Sequence, residues 1–200
     1  MKRLLFFPVV LLVIQAGFVR GNSETLDSVG DVGMYSSYKW RSQGTAYYDA
    51  TGGDLKYCID GVAQVVASDG DVGKYCSQAV WFDGMNDVVG ISYYDETRGN
   101  LMFVSGIEEE SVITWNTPVE VDTNGNVGLY TSLSCYPMTF GGESYYDVVA
   151  VPIISYYDQD NGDLMFVRAQ DVNGTAWDAP IRIASTGDVG KYSSLVGWGN

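Results

Sequence analysis

Three stretches of the chain are close variants of one another: TAYYDATGGD (45–54), ISYYDETRGN (91–100) and ISYYDQDNGD (154–163). A chain with internal repetition folds as a row of like units, each of which buries its apolar face against the next. The repeat extends well beyond the YYD phrase. A marker V-G-x-Y stands at Val32–Tyr35, Val72–Tyr75, Val127–Tyr130 and Val189–Tyr192, with offsets of 40, 55 and 62 residues. After each of the first three markers the YYD phrase ends at Asp49, Asp95 and Asp158. Glycine follows four residues on (Gly53, Gly99, Gly162), then Asp or Asn, then an apolar run opened by Leu55, Leu101 or Leu164. The two longer units add a tryptophan (Trp115, Trp177), a proline three residues later (Pro118, Pro180) and an alternating tail, VEVD or IRIA.

Each full unit therefore offers four strand candidates: YSSL-like, ISYYD-like, DLMFV-like, and the W-x-x-P segment with its tail. Short strands at regular spacing, parted by Gly, Asp and Asn turns, predict an all-β fold. Four strands in roughly 40–60 residues predict a β-propeller-like array of four-stranded antiparallel blades. The units span about 32–71, 72–126 and 127–188, with a partial fourth at 189–200. Residues 24–31 read as a tail strand of a preceding or closing blade, because ETLDSVGDVG aligns with VEVDTNGNVG and IRIASTGDVG. About three blades plus partial ones fall short of the usual minimum of four, so an incomplete propeller is expected: a fragment, or one part of an oligomeric ring. In unit 1 the pair Asp60-Gly61 predicts a tight type I′ hairpin turn. In unit 3 an insert, Gly141–Val148, separates the first two strands and carries a further YYD at Tyr145–Asp147, without the glycine.

The first 21 residues read as a signal peptide. Lys2 and Arg3 precede the apolar run Leu4–Ile14, and small residues follow at Ala16, Gly17 and Gly21, the pattern of an export signal. The alternative is a membrane anchor, but the run is short for a span of roughly 20 residues and Pro8 interrupts it. The mature domain is then 22–200, secreted or held at the cell surface. The whole chain carries a net charge of −14, and removal of Lys2, Arg3 and Arg20 makes it more acidic still. Such a surface repels phosphate backbones and anionic membranes, which leaves cations, basic proteins and neutral glycans as partners. The chain holds three cysteines, an odd count for an exported protein. Cys58 and Cys76, on successive repeats, are the candidate disulfide, with three unpaired thiols as the alternative. There is no histidine, which removes the Ser-His-Asp and Cys-His nucleophiles and the commonest general base.

Residues 168–177, RAQDVNGTAW, resemble the Asp-box of sialidase-like propellers, with Asp171, Gly174, Thr175 and Trp177 as the matching types. A weaker likeness is to YWTD propellers. The whole pattern is similar to tandem YYD…GDL units of uncharacterised exported proteins. The resemblance implies a turn between the third and fourth strands, with the aspartate accepting turn amides and the tryptophan packing between sheets. It does not imply sialidase activity. Arg41, Arg98, Arg168 and Arg182 are the arginines of the mature chain, and none matches the family's catalytic arginine motif.

Candidate sites are few. Asp158, Asp160 and Asp163, alternating oxygen side chains followed by glycine, resemble half a calcium loop; a hairpin turn is the alternative. Calcium is the only cofactor suggested. Asn173-Gly-Thr175 is a glycosylation sequon on a predicted exposed turn. Asp49, Gly53, Asp95, Gly99, Asp158, Gly162, Asp171, Trp115 and Trp177 read as structural repeat residues. The expected function is a non-catalytic recognition or scaffold module for protein or glycan partners. The alternative is part of a sialidase-like propeller glycoside hydrolase using two carboxylates.

Overall fold

The computed structural model describes residues 25–39, 41–109, 112–139 and 148–197. The expected signal peptide, most of the insert and its YYD lie outside these residues. Thirteen strands form among them and no helix. Unit 1 is a four-stranded sheet in the order β1 (Val32–Lys39), β2 (Gly44–Asp49), β3 (Asp54–Ile59), β4 (Val62–Ala67). Unit 2 contributes β5 (Val72–Phe82), β6 (Asp87–Asp95), β7 (Asn100–Glu109), β8 (Val112–Trp115) and β9 (Val119–Asp122). Unit 3 contributes β10 (Val127–Thr139), β11 (Val148–Asp158), β12 (Asp163–Arg168) and β13 (Ile181–Ala184). Each sheet is a meander of antiparallel neighbours.

The predicted fourth strand is broken. In unit 2, β8 pairs with the far end of β7 and β9 with its near end, because Pro118 has no N–H to continue the ladder. In unit 3 the tryptophan makes only an isolated bridge, Ala169 with Trp177, before β13 begins. Residues 25–31 form no strand; they lie over β2 and β3 through hydrogen bonds from Tyr47 and Lys56 to Asp27. The Asp60-Gly61 turn forms as expected, with φ of 49° and 76°, the two positive values a type I′ turn needs.

The first strands β1, β5 and β10 stand side by side, so the sheets stack face to face in sequence. One core fills the space between units 1 and 2: Ala46, Leu55 and Tyr57 meet Val72, Ile91, Tyr93 and Ile113. A second fills the space between units 2 and 3: Trp81, Leu101 and Phe103 meet Val127, Ile154 and Val167. Period-two alternation sets this up. Ile91 and Tyr93 face unit 1, whereas Ser92 and Tyr94 face unit 3. Both sides of β6 are covered, which is why it reads as almost continuously apolar and aromatic.

Candidate functional site

The repeated chemistry gathers where the marker of one unit meets the YYD turn of the unit before it. In each copy the YYD aspartate folds back on its own turn. Asp49 Oδ1 accepts the N–H groups of Thr51 and Gly52, Asp95 Oδ1 that of Arg98, and Asp158 Oδ1 those of Asp160 and Asn161. The glycine that follows is left-handed, with φ of 73°, 74° and 71° at Gly53, Gly99 and Gly162, a region that excludes most side chains. Its N–H donates to the aspartate carbonyl at 2.8–2.9 Å, and its own carbonyl accepts the N–H of the next marker valine (Val72, Val127, Val189) at 2.9 Å.

Four further contacts recur across each seam. The second YYD tyrosine donates its hydroxyl to the residue before the next marker: Tyr48 to Asp71, Tyr94 to Asn126, Tyr157 to Asp188, at 2.6–2.7 Å. Ser37, Ser77 and Ser132 Oγ accept the N–H groups of Gln78, Leu133 and Leu195 at 2.9–3.0 Å. The marker glycines Gly73, Gly128 and Gly190 lie so close to Leu55, Leu101 and Leu164 that an added Cβ would stand 2.7–2.8 Å from a leucine Cα. The fourth contact pairs residues by polarity. Ser92 meets Thr131 at 2.7 Å and Ser155 meets Ser193 at 3.0 Å. At the first seam both positions are less polar: Ala46 and Cys76 share the core, and the thiol donates to Tyr35 O at 2.9 Å.

The marker tyrosines were legible only as repeat signposts, and their arrangement is the feature that sequence reading missed. Tyr35, Tyr75, Tyr130 and Tyr192 have φ of 53–57°, uncommon for a bulky residue. The turn they impose interrupts the ladder of the first strand at the same point in β1, β5 and β10. It stacks the four rings in file, each centroid 4.5 Å from the next. Burial, then the neighbouring phenol of Tyr35 and the hydroxyl of Tyr130, push Tyr75 well above the ordinary tyrosine range.

The three aspartates named as calcium candidates are each engaged by protein partners. Asp158 is occupied by its own turn, with Oδ2 also taking the Asn161 side-chain amide at 2.7 Å. Asp160 Oδ2 turns the other way and accepts Asn126 N–H at 2.8 Å. In units 1 and 2 the same task falls to Thr51 and Thr97, whose Oγ1 accept the N–H groups of Asp31 and Asp71 at 2.7 Å. Asp160 is therefore a replacement for a threonine acceptor, and Asp163 is paired with Arg182 at 2.7 Å. Among the described residues no group of three or more acidic, cysteine or histidine side chains is placed to hold a metal.

The Cys58–Cys76 bridge is likewise not formed: Cys58 Sγ lies 3.7 Å from Leu26 O, and Cys76 Sγ points to Tyr35 O. The two residues face different neighbours, and burial pushes the Cys76 thiol up to about 12.

Asp171 organises its turn alone. Its carboxylate accepts the N–H groups of Asn173, Thr175 and Ala176 and the Thr175 hydroxyl, at 2.8–3.1 Å. Burial alone would raise the Asp171 carboxyl, but the Thr175 hydroxyl and the three amides together hold it below its ordinary value. The turn leans on unit 2. Val172 O accepts Trp81 Nε1–H, Asn173 O accepts the Ser105 hydroxyl, and Gly174 sits on the Phe103 ring. Trp177 meets Phe103 edge-on at 5.1 Å, as Trp115 meets Tyr57 at 5.2 Å. The Asn173 side chain is exposed.

At the opposite end of the sheets Arg41 pairs with Asp87 at 2.6 Å. Burial first, and then the charges of Asp87 and Asp60, raise the Glu108 carboxyl above its ordinary range. Comparison of the chain with protein families, with curated proteins and with solved structures finds no match in any of the three.

Proposed function

We propose that the chain is an exported, non-catalytic recognition or scaffold module of the β-propeller type, its sheets acting as blades that display loops to a protein or glycan partner. The observation that carries this reading is the commitment of the repeated polar groups. Asp49, Asp95, Asp158 and Asp171 are engaged by turn amides, and the serines of the first strands by neighbouring backbone. Groups bonded in this way are scaffold, and they leave recognition to the variable turn tips between them. The Asp171 carboxylate caps its own turn through three amides and the Thr175 hydroxyl, which supports the propeller reading without lending it a catalytic one.

The second reading, part of a glycoside hydrolase, draws on Glu108. A carboxyl with raised proton affinity beside other carboxylates is the pattern of a general acid. The discriminating experiment sets the purified chain against a glycan array and fluorogenic glycosides in parallel. Retention of a glycan or protein ligand without turnover is the expected result. Hydrolysis that Glu108→Gln abolishes would replace the binding reading with the enzymatic one.

A further inference from the structure

The file of marker tyrosines has a chemistry that the scaffold role does not use. Tyr35, Tyr75, Tyr130 and Tyr192 are stacked at three successive 4.5 Å steps with ring planes tilted by 45–53°. That spacing is at the tight end of aromatic contacts. The left-handed backbone at each tyrosine fixes where the ring starts, and the seam contacts on either side fix the distance between units. Tyr35, Tyr75 and Tyr130 are half-buried, while Tyr192 is 80% exposed. The file is thus a run of phenols in van der Waals contact with one end open to solvent.

We propose that this file is a site of oxidative tyrosine–tyrosine cross-linking, in which a one-electron oxidant joins neighbouring marker rings and covalently staples successive units. The oxidant removes one electron from each of two adjacent phenols, and each hydroxyl proton passes to water. The two phenoxyl radicals form one carbon–carbon bond between ring positions ortho to oxygen. Each ortho hydrogen then moves to its phenolic oxygen, so both rings recover aromaticity and both hydroxyls are retained. Each bridge costs the pair two electrons and two protons, all taken up by the oxidant and solvent.

Proximity favours these rings over others, because coupling within a preformed contact replaces a bimolecular encounter. Tyr192 admits the oxidant, and Tyr130 is its stacked neighbour. Tyr38 and Tyr136 are also well exposed, at 59% and 51%, yet no ring contact links either of them to another aromatic among the described residues, so they serve as internal controls. A bridge between Tyr130 and Tyr192 would tie the segment 189–197 to unit 3 and restrict the unfolded chain as other cross-links do.

The test treats the full chain at low concentration with a peroxidase and hydrogen peroxide, then maps linked peptides by mass spectrometry and follows dityrosine fluorescence. The expected product is an intrachain bridge between stacked marker tyrosines, Tyr130–Tyr192 foremost, in a species of unchanged molecular mass apart from lost hydrogens. Tyr192→Phe keeps the ring and removes that bridge, while Tyr136→Phe leaves it in place. Bridges that join Tyr38 or Tyr136, or that form only between molecules, would overturn the proposal. So would ring oxidation without coupling.

Discussion

The seam between units 2 and 3 and the far face of unit 3 are built from equivalent residues with different neighbours. Leu101 and Phe103 are buried in the seam, the phenylalanine held between Trp81 and Trp177. Their counterparts Leu164 and Phe166 are half-buried, and on the same sheet Ile181 and Ile183 are exposed. The inner contacts of unit 3 with residues 188–197 nevertheless repeat those of the earlier seams, from Tyr157–Asp188 to Ser132–Leu195. What differs is the outer half, where among the described residues no tryptophan packs on Phe166 as Trp177 packs on Phe103. A unit of this kind therefore completes the outer half of its core with the next unit's aromatic turn, while the next first strand closes the inner half, with Val127 and Leu133 beside its polar contacts.

Substitutions that treat the two faces alike sharpen this comparison. Phe103→Ala should cost about 3–5 kcal/mol, the range for a large aromatic removed from a packed interior. Phe166→Ala should cost roughly half of that or less, since the transfer term scales with the area removed from water. Urea denaturation of the two variants decides it, and equal losses would mean that the far face is as well covered as the seam.

A second pair breaks the comparison at the other end of the array. Gly73 has a φ of 106° and presses on Leu55, whereas Gly33 has a φ of 94° and nothing near its missing Cβ. Gly33→Ala should lower stability by about 1–3 kcal/mol through backbone strain alone. Gly73→Ala adds a clash with the leucine backbone and should lower it further, which the same denaturation curves would register.

The strands, the Asp60-Gly61 turn and the YYD turns were legible because each depends on residues adjacent in sequence. Asp95 and Gly99 declare a turn by their own chemistry. Less legible was anything decided across a seam. Asp160 resembles a metal ligand when read along its own segment, but its column holds Thr51 and Thr97, and only that equivalence points to the backbone N–H all three accept. Trp115 and Pro118 were read as one strand, although proline splits the pairing into β8 and β9. The pairing of Ala46 with Cys76, and of Ser92 with Thr131, has no signal within either phrase. The tyrosine file was hidden for the same reason: its members stand 40 or more residues apart, and only the stacking of units brings them together.

The turn aspartates offer a smaller test. Asp95→Ala removes a fully buried carboxylate bonded to Arg98, and should cost about 1–3 kcal/mol. Asp160→Thr restores the acceptor used by units 1 and 2 and should change the melting temperature little. A large loss at Asp160, or calcium binding abolished by its replacement, would reopen the metal reading.

The smallest effect is on pH dependence. Tyr47, the Val29 N–H and Lys56 hold Asp27 down to about 2 from an ordinary 3.8. The folded chain thus binds this proton less readily than the unfolded one, so the contribution is complete above pH 3.8 and lost as pH falls toward 2. Glu108 acts in the opposite sense: its raised affinity favours the folded state at low pH and is lost as pH rises through its folded value. Asp27→Asn should flatten the acid limb of a melting-temperature profile, and Glu108→Gln the limb above it.

Amide hydrogen exchange at the marker valines tests most directly whether each unit is completed by its neighbour. Val72, Val127 and Val189 donate the same bond, at 2.9 Å, to Gly53, Gly99 and Gly162. If a following unit's cover sets the stability of each seam, Val72 and Val127 exchange only with global unfolding, and Val189 opens at a lower free energy. Equal protection at all three, or slowest exchange at Val189, would contradict the account.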